Sequence, residues 1–141
     1  MSPNKACPII LSDHPTPRLL LFHHPLAGVQ LVKGTIEPGE LPAQAALREL
    51  HEESGIATAT VIRDLGCWNA EHEQQIWSFQ LCQPHCALPA QWTHQTLDDH
   101  GHAFDFFWAA VDDLPLGECH PVFQRALQHL SSRCLAAQVP A

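Results

Sequence analysis

Glu49, Glu52 and Glu53 fall at i, i+3 and i+4 within Gly34 to Ile56, GTIEPGELPAQAALRELHEESGI. On a helix, that spacing brings their side chains to one face. Carboxylates held together repel one another unless a cation sits among them, and a hard divalent cation with oxygen ligands is the natural partner. Arg48 stands four residues before Glu52, near enough to hold a carboxylate by a charge-assisted hydrogen bond. The plain alternative is a solvated, charged helix face.

The wider pattern decides between these readings. The stretch resembles the signature of Nudix hydrolases, G-x5-E-x7-R-E-U-x-E-E-x-G-U, where U is a bulky aliphatic residue. The matching positions are Gly34, Glu40, Arg48, Glu49, Leu50, Glu52, Glu53, Gly55 and Ile56. At background residue frequencies such a match has odds on the order of 10⁻⁸, which sets the solvated-face reading aside.

The resemblance implies an α/β fold, a Nudix-like α/β/α sandwich with a mixed central sheet. It implies a hydrolase that cleaves a pyrophosphate bond in a nucleoside diphosphate linked to another group. The implied cofactor is Mg²⁺, with Mn²⁺ able to substitute. Glu49, Glu52 and Glu53 are the implied metal ligands. Gly34 would let its backbone carbonyl approach the metal, and Glu40 would brace the loop or help the metal site. Glu53, Glu52 and Arg48 are the implied catalytic residues, with Glu53 the choice for general base. Gly55 fits a tight helix exit, and Leu50 and Ile56 belong to the core. Other family members draw the base from a distant loop. Asp98, Asp99, His100 and His102 stand in such a loop here, and a histidine titrates near neutrality. Asp99, His100 and His102 are also candidates for substrate binding.

Lys33 is a further substrate-binding candidate. The run K-G-x-x-E-P-G-E resembles the subgroup acting on dinucleoside polyphosphates and RNA 5′ ends, where a lysine can meet extra phosphate. Many of its members carry proline before that lysine, and Val32 stands there in this chain. Without that resemblance, Lys33 reads as a surface lysine.

Two other readings of the box stay on the page. One is a Nudix-like module that senses a nucleotide without cleaving it, but such modules generally lose box glutamates. The other is a Nudix-like isomerase of isoprenoid diphosphates, which is usually longer and pairs a cysteine with a glutamate outside the box. Cys67 or Cys82 would have to fill that place. Trp68, Trp77, Trp92 and Trp108 offer surfaces for base stacking, with core packing the plainer use. Cys82, His85 and Cys86 make an incomplete zinc set without a clear fourth ligand.

Composition bounds these readings. The 141 residues, 45% hydrophobic, suit a single domain over 1–141. A net charge of -8 with 7 Lys plus Arg is the wrong balance for binding a nucleic-acid duplex. An acidic protein still handles phosphate where metal ions supply positive charge locally. The expected partner is therefore a small-molecule nucleoside diphosphate derivative. The oligomeric state stays open, a homodimer included. The six cysteines form no C-x-x-C pair and no disulfide-scaffold spacing. Neither a signal peptide nor a membrane span is legible, so the expectation is a reduced, cytoplasmic protein with free thiols.

The elements that must position the box follow from periodicity. Residues 1–6 read as a flexible tail. Cys7 to Leu11, Leu19 to His23 and Val29 to Lys33 read as strands, the last feeding the Gly34 loop. A helix is expected from about Pro42, at home in a first turn, to Ser54, with Gly55 just past its end. Ala57 to Gly66 and Gln74 to Cys82 read as strands. In the second of these, Ile76, Ser78 and Gln80 alternate with Trp77, Phe79 and Leu81, as on a half-buried strand. Residues 83–103 are polar and proline-containing and read as loop. Phe104 to Val111 reads as an aromatic strand, and residues 120–136 as an amphipathic helix.

Overall fold

The computed structural model describes residues 1–12, 16–97 and 101–135. Strands β1 (Lys5–Ile9), β2 (Leu11–Ser12), β3 (Arg18–His24), β4 (Gly28–Gln30) and β5 (Gly34–Thr35) precede helix α1 (Pro42–Ser54). Then come β6 (Ala59–Asn69), β7 (Ile76–Pro84), β8 (Gln91–Gln95), β9 (Ala103–Ala110) and helix α2 (Pro121–His129). A short 3₁₀ turn, Leu116–Glu118, precedes α2, and a π-helical turn, Leu130–Leu135, follows it.

The strands form two sheets. One has the order β5-β1-β7-β6 and is mixed, because β1 runs parallel to β7. The other has the order β2-β3-β9-β8, with β4 also pairing β3, and its pairings are all antiparallel. The chain passes between the sheets at Ile10, whose carbonyl accepts from Leu20 N at 3.0 Å.

Strand β3 shows how the layers stack. Leu19 and Leu21 join a core with Trp77, Phe79, Phe123 and Leu127, beneath α2. Leu20 and Phe22 join a core with Leu50 and Ile56 of the box, together with Phe104 and Phe106. A strand buried on both faces reads as a continuous apolar run, which is what Leu19-Leu20-Leu21-Phe22 is. The helices therefore lie on opposite faces of the β layer, in the expected α/β/α sandwich.

The structure corrects several sequence expectations. The supposed tail is shorter, because Lys5 and Ala6 belong to β1. Asn4 is tied down as well, its side chain accepting from Ile76 N at 2.9 Å and donating to Gln74 O at 3.0 Å. Strand β7 is not half-buried: Ser78 and Gln80 are 1% and 2% exposed. They tolerate this because Gln80 Nε2 donates to Ser78 Oγ at 2.8 Å. The 83–103 segment is not all loop, because β8 lies within it. Pairing with β9 lets its polar residues face solvent while Trp92 and His94 turn inward. The strand expected over 29–33 ends at Gln30, and the C-terminal α-helix ends at His129 in the π turn. Among the described residues no helix is long and apolar enough to cross a membrane, and Cys7, Cys67, Cys82, Cys86 and Cys119 are free thiols.

The box helix is seated by its small and aliphatic residues. Ala45 and Ala46 are fully buried and pack with Ala6, letting α1 approach β1 closely. Leu50 is 1% exposed at the centre of its cluster. Leu50→Ala is expected to lower stability by ~2–5 kcal/mol, the range for truncating a buried leucine. A urea-unfolding midpoint measured for both proteins checks this.

Candidate active site

Arg48 organises the box. Its Nε donates to Glu40 Oε2 and its NH2 group to Glu40 Oε1, each at 2.8 Å. This is a bidentate pair of the kind a planar guanidinium favours. The NH2 group also donates to the Thr35 carbonyl at 2.8 Å. On its other side, the NH1 group donates to Glu49 Oε1 at 2.8 Å and reaches Glu52 Oε2 at 3.4 Å. The sequence led us to expect Arg48 to restrain Glu52. Its short contacts instead go to Glu40 and Glu49, and Glu52 is the distant partner.

Glu40 closes the loop ahead of the helix. Its Oε1 also accepts the Glu37 amide at 3.0 Å, so one carboxylate fixes the turn and Arg48 together. The Arg48 hydrogen bonds, aided by the Glu37 amide, hold the Glu40 carboxyl down at about 2. The same Glu40 bonds push the Arg48 guanidinium above its ordinary value.

Gly34 is required by close approach. A Cβ there would collide with the Glu49 carboxylate, so only glycine lets this acid lie on the β5 backbone. Glu49 itself is buried, 8% exposed. Glu53 is half-buried on the same side of the helix and lies within electrostatic range of Lys33 and Cys7. Glu52 is the exposed member. Gly55, at φ 82°, ends the helix in the left-handed conformation, its amide returning to the His51 carbonyl at 3.0 Å.

Among the described residues no three His, Cys, Asp or Glu side chains converge closely enough to hold a metal ion. Glu49 and Glu52 turn toward the Arg48 cation. The donor set still suits a hard cation, since it offers carboxylate oxygens and a glycine backbone laid against one of them.

Lys33 is not a surface lysine. Its ammonium donates to Gln75 Oε1 at 3.2 Å and lies 5.0 Å from the centre of the Trp77 ring. The same Gln75 oxygen accepts the Trp77 indole N–H at 2.8 Å. Burial, reinforced by Lys5, pushes the Lys33 pKa down. Burial likewise pushes the Cys82 thiol up to about 12, and Cys7 is buried outright. Neither cysteine is suited to act as a thiolate, which removes Cys82 as an isomerase nucleophile. Trp77 is core.

Asp98, Asp99 and His100 lie outside the described residues. His102 is half-buried, with its ring 4.9 Å from that of His24 and its carbonyl accepting the Thr96 amide at 2.9 Å. The residues leading into this turn reach the box. Gln95 and Leu97 line a cleft of about 500 Å³ with His51, Glu52 and His94. His85 bonds Thr60 at 2.7 Å and does not join a zinc set. Sequence reasoning missed Trp92 and His94. The Trp92 indole donates to the Ser54 carbonyl at 2.9 Å, and His94 Nε2 meets the Glu52 carbonyl at 3.1 Å. The alternation in Gln91-Trp92-Thr93-His94-Gln95 was the signal available for them.

The family model described as the NUDIX domain matches residues 3–130. The chain therefore belongs to the Nudix hydrolase family. An RNA pyrophosphohydrolase from Brucella ovis is 46% identical over 39 residues, 28% of this chain and 22% of that protein. The match thus spans about a fifth of that curated relative's length. An ADP-ribose pyrophosphatase from Streptococcus suis superposes with a TM-score of 0.69 at 16% identity, covering 97% of this chain and 92% of that one. A C. elegans Ap4A hydrolase gives 0.65 at 21% identity, covering 94% and 98%. Both likenesses establish the fold.

The Glu40–Arg48 pair has a pH signature. A carboxyl held below its ordinary value contributes stability above the unfolded pKa and loses it as pH falls through the folded one. With Glu40 moved from 4.5 to about 2, that contribution should vanish between those two values. Glu40→Gln, which keeps the shape without the charge, is expected to flatten the acid side of the Tm-against-pH curve in this window. Thermal melts from pH 6 down to about 2 measure it.

Proposed function

We propose that this Nudix protein hydrolyses a pyrophosphate bond in a nucleoside diphosphate linked to another group, with Mg²⁺ as cofactor. The observation that carries the reading is the Arg48 fan. One guanidinium fixes Glu40 and Glu49 at 2.8 Å and restrains Glu52, while Gly34 leaves room for Glu49 beside the backbone. Glu49, Glu52, Glu53 and the Gly34 carbonyl would hold the metal. A divalent ion there neutralises phosphate charge and makes a bound water more acidic.

The chain's own residues divide the remaining work. Glu53, half-buried beside Lys33, is the proposed general base. Glu40 and Arg48 hold the loop and the helix in one geometry, which matters because phosphoryl transfer depends on positioning and charge. Lys33 is tethered by Gln75 and Trp77, so it contributes a fixed positive charge within electrostatic range of Glu53. Gln95 and Leu97 line the cleft beside Glu52, and we assign Asp99, His100 and His102, which follow them in sequence, to substrate selection.

The names of the relatives frame the substrate search: ADP-ribose, dinucleoside polyphosphates and RNA 5′ ends, with nucleotide sugars and nucleoside triphosphates alongside. Cleavage of each in Mg²⁺ or Mn²⁺, read by chromatography of the phosphomonoester products, is the defining assay. EDTA is expected to abolish activity and added metal to restore it; full activity in metal-free buffer would refute the mechanism. Glu53→Gln is expected to lower kcat by ~10²-fold or more, the scale of a lost acid–base contact, while leaving Tm near wild type. Activity within about threefold of wild type is too little for lost transition-state stabilisation and would return the non-hydrolytic sensing module.

A further inference from the structure

The box helix is tied to the molecule at two places. Its N-terminal half is bound through Arg48 and Glu40 to the β5 loop, on the mixed sheet. Its last turn carries Glu52 and Glu53, and here the carbonyls need partners from outside the helix. The His51 carbonyl accepts from Gly55 N. Those of Glu52 and Ser54 are met instead by His94 and Trp92, at 3.1 and 2.9 Å.

These two residues stand at i and i+2 on β8, so they share one face of the strand. They are held from behind by the antiparallel sheet. Trp92 pairs with Phe106 and His94 with Phe104. The Trp92 and Phe106 rings stack with centroids 5.0 Å apart and planes 9° apart, and Phe104 stacks on Phe22 at 4.4 Å. Gly55 completes the fit, since a Cβ there would lie 2.9 Å from His94 Nδ1. The box glycine thus admits the histidine ring as well as supplying the left-handed turn.

We propose that Trp92 and His94 are positioning residues for the metal-binding carboxylates, fixing the last turn of α1 and with it Glu52 and Glu53. The inference rests on the proposed hydrolase reading and adds that the site is set from both sheets. Each bonds a helix carbonyl, and it is through the helix that both act, although His94 also lines the cleft beside Glu52. A misplacement of about 1 Å can cost ~10²-fold in rate, so a small loosening of this turn is enough to matter.

The test uses Trp92→Phe, which keeps an aromatic ring and removes the indole N–H together with the second ring, and His94→Ala with His94→Gln as the variant that restores a donor near the Nε2 position. Thr93→Val, on the opposite face of β8 where Thr93 bonds Asp105 at 2.6 Å, is the control. Mn²⁺ affinity is read by electron paramagnetic resonance without substrate, and kcat and KM by chromatography of the phosphomonoester products. Trp92→Phe and His94→Ala are expected to weaken Mn²⁺ binding about fivefold and lower kcat about tenfold, a loss in the range of positioning effects. KM should change less than twofold, His94→Gln should recover most of the loss, and Thr93→Val should match wild type. Wild-type Mn²⁺ affinity in both Trp92→Phe and His94→Ala overturns the inference, as does an equal loss in Thr93→Val. A wild-type protein that binds Mn²⁺ but cleaves no substrate overturns the hydrolase reading alone, and the affinities still decide the positioning. A wild-type protein that binds no Mn²⁺ overturns both.

Discussion

One guanidinium sets the geometry of this protein's box. Arg48 reaches three carboxylates and a backbone carbonyl from a single planar group. Without it, Glu40, Glu49 and Glu52 would repel one another around the place its guanidinium fills. With it, repulsion becomes a fixed arrangement. The pair with Glu40 is the strongest part, since both oxygens are engaged at 2.8 Å. A lysine could not serve in its place, because a point charge lacks the fork that binds two oxygens in one plane.

The scaffold gives this network something rigid to act against. The loop from Gly34 to Leu41 is closed by the Glu40 carboxylate on the Glu37 amide. The helix beyond it is pressed onto β1 by alanines and into the core by Leu50. Glu49 pays for burial with an arginine bond and with contact along a glycine backbone. The more exposed Glu52 is the less constrained acid, at 3.4 Å from Arg48. The hold of Arg48 therefore weakens along the helix from Glu49 to Glu52, and the anchors from β8 bear on that end.

Lys33 shows how context changes a residue's meaning. In sequence it is a lysine beside a glycine loop. In the fold it is half-buried against Trp77 and bonded to Gln75, within electrostatic range of Glu53. Gln75 comes from the turn between β6 and β7, where Glu71, Glu73 and Gln74 adopt positive φ. A distant hairpin thus holds a cation beside the proposed base, which no local spacing rule could announce.

The sequence by itself determined the box, its helix from Pro42 to Ser54, the α/β class and the two-helix sandwich. The box helix and strands rest on local rules: carboxylate spacing at helical period, proline at the start, glycine at the end, and apolar runs; the sandwich followed from the resemblance to the Nudix signature. The tertiary structure decided what those rules do not reach. It split the β layer into two sheets, because the chain crosses between them at Ile10 and no composition marks the crossing. It made β7 buried on both faces, because α1 covers the side that polar residues suggested was open. It turned the polar segment Gln91–Gln95 into a strand whose Trp92 and His94 meet the helix end, because pairing with β9 supplied the partner. It also gave Arg48 to Glu40 and Glu49 more than to Glu52. Eight residues separate Arg48 from Glu40 in sequence, and only the folded loop brings their charges to hydrogen-bond distance.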